Sequence, residues 1–243
     1  VMPSFTRVKT AVCEPVNMEM VFNASVTDIY RNEYLSPRSP YTTLQLPKQG
    51  IGEWCHPTLT ADIDDSGMRA QVRSSLGVPF RTPAEGKNIA FTSLWDNYPD
   101  SLTIPLTGKA SHAYLLLAGS TNHMQCHIAN GVIRVHYADG TSETLELINP
   151  DNWCPIEQDF YVDGIAFCLQ TPRPYRLHFK SGLVSNNLEK DLNITGVYGR
   201  PIDGGAGVLL DMLLDPAKEL KSLTLETLSN DVVIGIMGIT LQK

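Results

Sequence analysis

The most constraining feature of the chain is the run His127–Tyr137, in which Ile133, Val135 and Tyr137 alternate with Val132, Arg134 and His136. A period of two is that of a strand with one buried face. Ala138-Asp139-Gly140 follows, and Asp-Gly is hairpin chemistry because glycine accepts positive φ. Beyond it, Thr144, Glu146 and Ile148 alternate with Leu145 and Leu147. The pattern predicts a β-hairpin. Seven further strands are predicted at Ile89–Leu94, Leu102–Leu106, His112–Ala118, Tyr175–Phe179, Gly207–Leu214, Ser222–Leu228 and Asp231–Gln242. Turn residues at Gly108-Lys109, Gly119-Ser120, Ser181-Gly182, Asp203-Gly204-Gly205 and Asp215-Pro216 separate them. Only Pro216–Lys221 reads as helical. Many short strands between turn signals predict an all-β sandwich with little helix.

Residues 1–75 differ in texture. Pro37, Pro40 and Pro47 remove ladder donors and predict an extended segment lying over the sandwich. Leu59–Ile63 and Met68–Val72, around Asp64-Asp65-Ser66-Gly67, read as another hairpin. The organisation predicted is an N-terminal extended segment, 1–75, packed on a sandwich, 76–243. The last strand, Asp231–Leu241, carries apolar residues on both faces, including Val233, Ile234, Ile236, Met237 and Ile239. It is predicted to be central and covered on both sides.

Charge narrows the function. The 243 residues hold 19 Lys+Arg against 26 Asp+Glu, a net charge of −7. That balance argues against nucleic-acid binding and against anionic lipid, both of which need clustered cations. The longest apolar stretch, Val232–Ile239, is far shorter than the ~20 residues of a spanning helix. Val1–Phe5 shows no basic leader followed by an apolar stretch. Cys13, Cys55, Cys126, Cys154 and Cys168 are odd in number and scattered, so they predict buried thiols rather than zinc ligands or a disulfide framework.

Four constellations bear on chemistry. Asp62, Asp64 and Gly67 match the front of a calcium loop, but Arg73 stands where a bidentate Glu is needed, so an EF-hand is rejected. His123 and His127 lie about 13 Å apart if extended, too far for one metal; His136 on a neighbouring strand keeps a metal site open. Asp96-Asn97-Tyr98-Pro99 and Asp151-Asn152-Trp153-Cys154-Pro155 each present an acid, an amide and an aromatic beside a proline. Such sets bind sugars: carboxylates and amides take paired hydroxyls while an aromatic face packs on the ring C–H groups. Trp54 and Trp95 extend the candidate platform. The competing reading is that Asp, Asn and Pro form turns and the aromatics plug the sandwich. Finally, Glu157, Asp159 and Asp163 cluster in sequence and are candidates for a glycosidase's paired carboxyls, though sequence proximity does not set their separation. No nucleophile elbow, P-loop or zinc-protease motif occurs.

Asn88–Pro99, Ile104–Ala110, Ala113–Thr121, Val135–Thr141, Leu220–Leu225 and Val232–Leu241 together resemble galactose-binding-like jelly rolls of large glycosidase-associated bacterial proteins. The resemblance spans about residues 76–243. It implies a jelly roll of two antiparallel sheets, often with a structural Ca²⁺, in a periplasmic or secreted carbohydrate-processing protein. Members bind glycans at loops on one end or buttress a catalytic domain. The expectation is therefore a non-catalytic accessory or carbohydrate-binding domain whose partner is a glycan or an adjacent catalytic domain. Its candidate ligand residues are Trp54, Trp95, Asp96, Asn97, Tyr98, Asp151, Asn152 and Trp153, and no cofactor is required. The alternatives are a polysaccharide hydrolase or lyase using Glu157, Asp159 or Asp96, and a purely structural interdomain module.

Overall fold

One-sided strands bury their apolar faces by stacking as sheets. The computed structural model describes residues 11–32, 63–70, 76–95, 97–121, 125–159, 172–195 and 200–243, and within them two antiparallel sheets stack in this way. The strands are β1 (Cys13–Pro15), β2 (Ala90–Ser93), β3 (Ser101–Pro105), β4 (His112–Thr121), β5 (Ala129–Tyr137), β6 (Ser142–Ile148), β7 (Tyr175–His178), β8 (Val184–Ser185), β9 (Ala206–Leu213), β10 (Leu220–Thr227) and β11 (Val232–Gln242). The smaller sheet is ordered β3-β10-β5-β6. The larger is β1-β11-β4-β9-β7-β8, with β2 sharing the β1 edge of β11. The chain passes repeatedly from one sheet to the other, giving the all-β jelly-roll sandwich predicted. The predicted hairpin is β5–β6, turned at Gly140 with φ +87°.

Among the described residues there are two large cores, beside a small cluster of Leu188, Ile194, Ile202 and Ala206. One fills the space between the sheets, with Leu115, Leu117, Ile133, Val135, Leu223 and Ile236. The other covers the outer face of the larger sheet, where Tyr114, Leu116, Val233 and Met237 meet Val26, Ile29 and Phe80. Strand β11 serves both. Val232, Ile234 and Ile236 face the inter-sheet core, and Val233 and Met237 face outward. A register shift between Ile236 and Gly238 then resets the alternation, so that Ile239 and Leu241 also point inward. One extra residue inverts strand parity, which is what a bulge does. Gly235 and Gly238 lie on the outer side, where a Cβ would come within 2.5 Å of Ile89 and 2.7 Å of Phe80 respectively.

The structure corrects four expectations. Met68 belongs not to a hairpin but to a short helix, α1 (Ser66–Ala70). Asp64 Oδ1 accepts from the Ser66 N–H, the Arg69 N–H donates to Asp65 O, and Met68 is buried. Gly67 serves close packing, since a Cβ would lie 2.2 Å from Lys180 O. Residues 59–62 and 71–75 of that expected hairpin lie outside the described residues. Gly119-Ser120 is not a turn but the end of β4; a Cβ on Gly119 would lie 2.2 Å from Val233 O. Pro216–Lys221 is not helical: a turn leads into β10, and the second helix is α2 (Leu188–Asp191), capped by the Asn187 side chain. His127 is not a strand residue; it precedes β5 with φ +55°. Of the segment 1–75, the described parts add β1 to the sheet edge and lay Val26, Ile29 and Tyr30 over its outer face. Among the described residues no helix is long and apolar enough to cross a membrane.

Candidate functional site

The two nominated loops are built differently from a shared sugar platform. Trp153 is 2% exposed and sits in the inter-sheet core. Trp95 and Tyr98, 5% and 7% exposed, belong to the outer-face core. Rings this buried present no stacking face, so the aromatics act as plugs in two separate cores. Asn152 spends its amide on β6: Nδ2 donates to Glu146 O and Oδ1 accepts from the Ile148 N–H. Asp151 lies 4.0 Å from His127 Nδ1. The Trp95 indole N–H donates to Asn230 O. Trp54 and Asp96 lie outside the described residues.

The structure does bring Asn97 and Tyr98 to an open cleft of about 610 Å³, between the covering segment 23–32 and the turn at Gly86-Lys87. The frame of this cleft follows from local hydrogen bonding. Asn23 pairs with Phe91 as a strand would, Oδ1 accepting its N–H and Nδ2 donating to its carbonyl. The Val26 N–H donates to Asn88 Oδ1, and Asn88 Nδ2 donates to Asp65 Oδ2. Arg69, on α1, donates to Asp65 Oδ2, Pro83 O and Gly86 O, clamping the turn to the helix. Onto this frame Ser25, Thr27, Asp28, Asn32, Lys87 and Asn97 present hydroxyl, carboxylate, amide and ammonium groups. Asn32 Nδ2 donates to the Tyr98 hydroxyl, and burial pushes that phenol up to about 12, so it stays neutral. Sequence spacing gives no hint of the convergence, because 23–32, 69, 87 and 97 are joined only by the fold. A second cleft of about 400 Å³ shares Thr27 and is lined by Arg31, Asp64, Asp65, Lys180 and Asp203.

The nominated acids do not share a site. Glu157 is fully buried; its Oε2 accepts from the Tyr30 hydroxyl and from Ser120 Oγ, while Oε1 has no hydrogen-bond partner among the described residues. Burial raises its pKa to about 7 against the lowering pull of Tyr30 and Arg176. Asp159 faces the other way chemically, 2.8 Å from Arg200 Nη2. Asp163 lies outside the described residues. Beside Glu157, the buried Arg176 donates to Pro155 O, Gln158 O, Ala206 O and Gly207 O and to Cys154 Sγ. Burial pushes the Cys154 thiol up to about 12, which leaves it un-ionised and a poor nucleophile.

Metal candidates fare as follows. Asp65 is engaged by Arg69 and Asn88 and Asp64 by Ser66; Asp62 and His123 lie outside the described residues. Among the described residues no three His, Cys, Asp or Glu side chains converge as a metal set. Of the thiols expected to be buried, Cys154 is, while Cys13 and Cys126 are only half-buried; Cys55 and Cys168 lie outside the described residues. Compared with protein-family models, curated proteins and solved structures, the chain has no match.

Proposed function

We propose that the protein is a non-catalytic β-sandwich module that binds a hydroxyl-rich ligand of the glycan class in the cleft between segment 23–32, Lys87 and Asn97-Tyr98. The observation that carries this reading is the cleft's lining. Among the described lining residues it offers amides, hydroxyls, the Asp28 carboxylate and the Lys87 ammonium on a hydrogen-bonded frame. Vicinal hydroxyls both donate and accept, and carboxamides and carboxylates answer them pairwise. Asp28 is the one carboxylate among the described lining residues. Glycoside hydrolysis ordinarily needs two, which favours binding over turnover. The resemblance to galactose-binding-like jelly rolls supports the same reading. It extends it to an accessory role beside a catalytic domain in a secreted or periplasmic protein, with any structural Ca²⁺ held outside the groups described above.

Calorimetric titration of the chain with a panel of oligosaccharides tests the proposal. Asp28→Ala and Asn97→Ala are each expected to weaken binding about tenfold, the loss of roughly one charge-assisted or bidentate contact. Binding that ignores both substitutions would overturn the cleft assignment. Failure of the whole panel would favour the purely structural module.

A further inference from the structure

The wall of the proposed cleft is pinned to the sandwich at a buried carboxyl. Segment 23–32 is tied at its start by Asn23 and Ala24 to Phe91 and Ile89. Its far end, which carries Asp28 and Asn32 into the cleft, is held by the buried Ile29 and by the Tyr30 hydroxyl on Glu157 and Ser120. Tyr30 and Glu157 are 127 residues apart in sequence, so this contact joins the covering segment to the loop between β6 and β7.

We infer that Tyr30, Glu157 and Ser120 form a proton-dependent latch, closed when Glu157 is neutral, that holds segment 28–32 as a wall of the cleft and releases it when Glu157 ionises. The inference rests on the cleft being the binding site, as proposed above. The physical reason is that a neutral carboxyl is tolerated in this buried position, whereas a carboxylate there leaves one oxygen with no partner among the described residues and is better solvated once the covering segment lifts. The groups facing it are the Tyr30 phenol from the segment, Ser120 from β4, Arg176 from β7 and the Cys154 thiol from its own loop. Arg176 and the Tyr30 hydroxyl favour the carboxylate and burial opposes it; burial is the largest influence, which places the transition near neutral pH. Proton linkage then makes opening more frequent as pH rises, by about tenfold per unit through the interval between the exposed and buried ionisations.

Hydrogen exchange read by mass spectrometry on the whole chain, from pH 5 to 8.5, tests the latch without any ligand. Protection in peptides covering 26–32 should fall about tenfold per pH unit up to about pH 7 and then level off. Peptides from β10 should show only the chemical pH dependence. Glu157→Gln, which keeps an acceptor for Tyr30 but cannot ionise, should hold its protection at every pH. Should that variant fail to fold, Tyr30→Phe serves: losing the hydroxyl that favours the carboxylate extends the fall in protection, so that it levels off at a higher pH than in the wild type. A flat wild-type profile, or one unchanged in Glu157→Gln or in Tyr30→Phe, overturns the latch. The affinity of a glycan found by titration should drop between pH 5.5 and 8 in the wild type but not in Glu157→Gln. Equal affinities alongside a pH-dependent wall overturn the coupling to the cleft. Absence of glycan binding overturns the preceding reading, while exchange alone still decides the latch.

Discussion

Arg176→Met should cost several kcal/mol, and the amount can be worked from its contacts. Arg176 is 1% exposed, and its guanidinium donates to four backbone carbonyls and one thiol. Replacing a buried ionic group by an apolar one is often harmless when its partners are replaced as well. Here the described partners include backbone carbonyls of the 155–158 loop and of β9, which no substitution removes. Each charge-assisted bond lost inside costs about 1 kcal/mol or more. Methionine fills most of the volume, so the cavity contribution is small. The expected loss is about 3–5 kcal/mol in a urea melt followed by tryptophan fluorescence. Arg176→Lys should recover only part of it, because an ammonium has three donors at one point and cannot span carbonyls on both sides. A second readout is independent of the melt: Arg176 lowers the Glu157 pKa, so in the methionine variant the Glu157 carboxyl should titrate higher by ¹³C NMR. A loss below about 1 kcal/mol, with that titration unmoved, would refute the picture of a charge supporting the loop.

The remaining predictions follow from the two cores and the buried acid. Ile236→Asp puts an unpaired charge at a fully buried position of β11 and should cost roughly 4 kcal/mol or prevent folding; a circular-dichroism melt checks it. Trp153→Ala should destabilise by about 3–5 kcal/mol while leaving glycan affinity of the folded protein unchanged. Trp153→Phe should lose less, since the indole N–H has no hydrogen-bond partner among the described residues. For Glu157 the folded pKa, about 7, lies above the ordinary glutamate value of 4.5, so the native state keeps a proton that the unfolded chain has released. Stability from this group is greatest below about pH 4.5 and declines until about pH 7, by ~3 kcal/mol in all. Subtracting the stability–pH curve of Glu157→Gln from that of the wild type isolates it, and a difference rising with pH would contradict the assignment.

The strands were legible because their signal is local. Ile133, Val135 and Tyr137 announce their face within one strand, and Asp139-Gly140 announces the turn. The limits were local too. Helix α1 is five residues long, too short to show a 3.6-residue period, and its Gly67 looks like a turn glycine although it is there for the approach of Lys180 O. Gly119 misleads for the same reason. The loops at Asn97-Tyr98 and Asn152-Trp153 share a composition that serves equally to bind sugar or to close a core. Only burial separates the two uses, and burial is a property of the whole fold. Tyr30 and Glu157, like Arg69 with Gly86, are ordinary residues in sequence; their chemistry comes from partners the chain reaches only after folding.

Strand β11 ends at Gln242 yet stands between β4 on one side and β1 and β2 on the other. During synthesis, β1, β2 and β4 emerge long before the strand that must dock between them. Until it arrives, an unpaired edge and two greasy surfaces stay open to solvent and to neighbouring nascent chains. Completion of this sandwich is therefore a single late event rather than a gradual one. Ribosomes stalled short of residue 232 should display a chaperone-hungry intermediate in place of a smaller version of the protein.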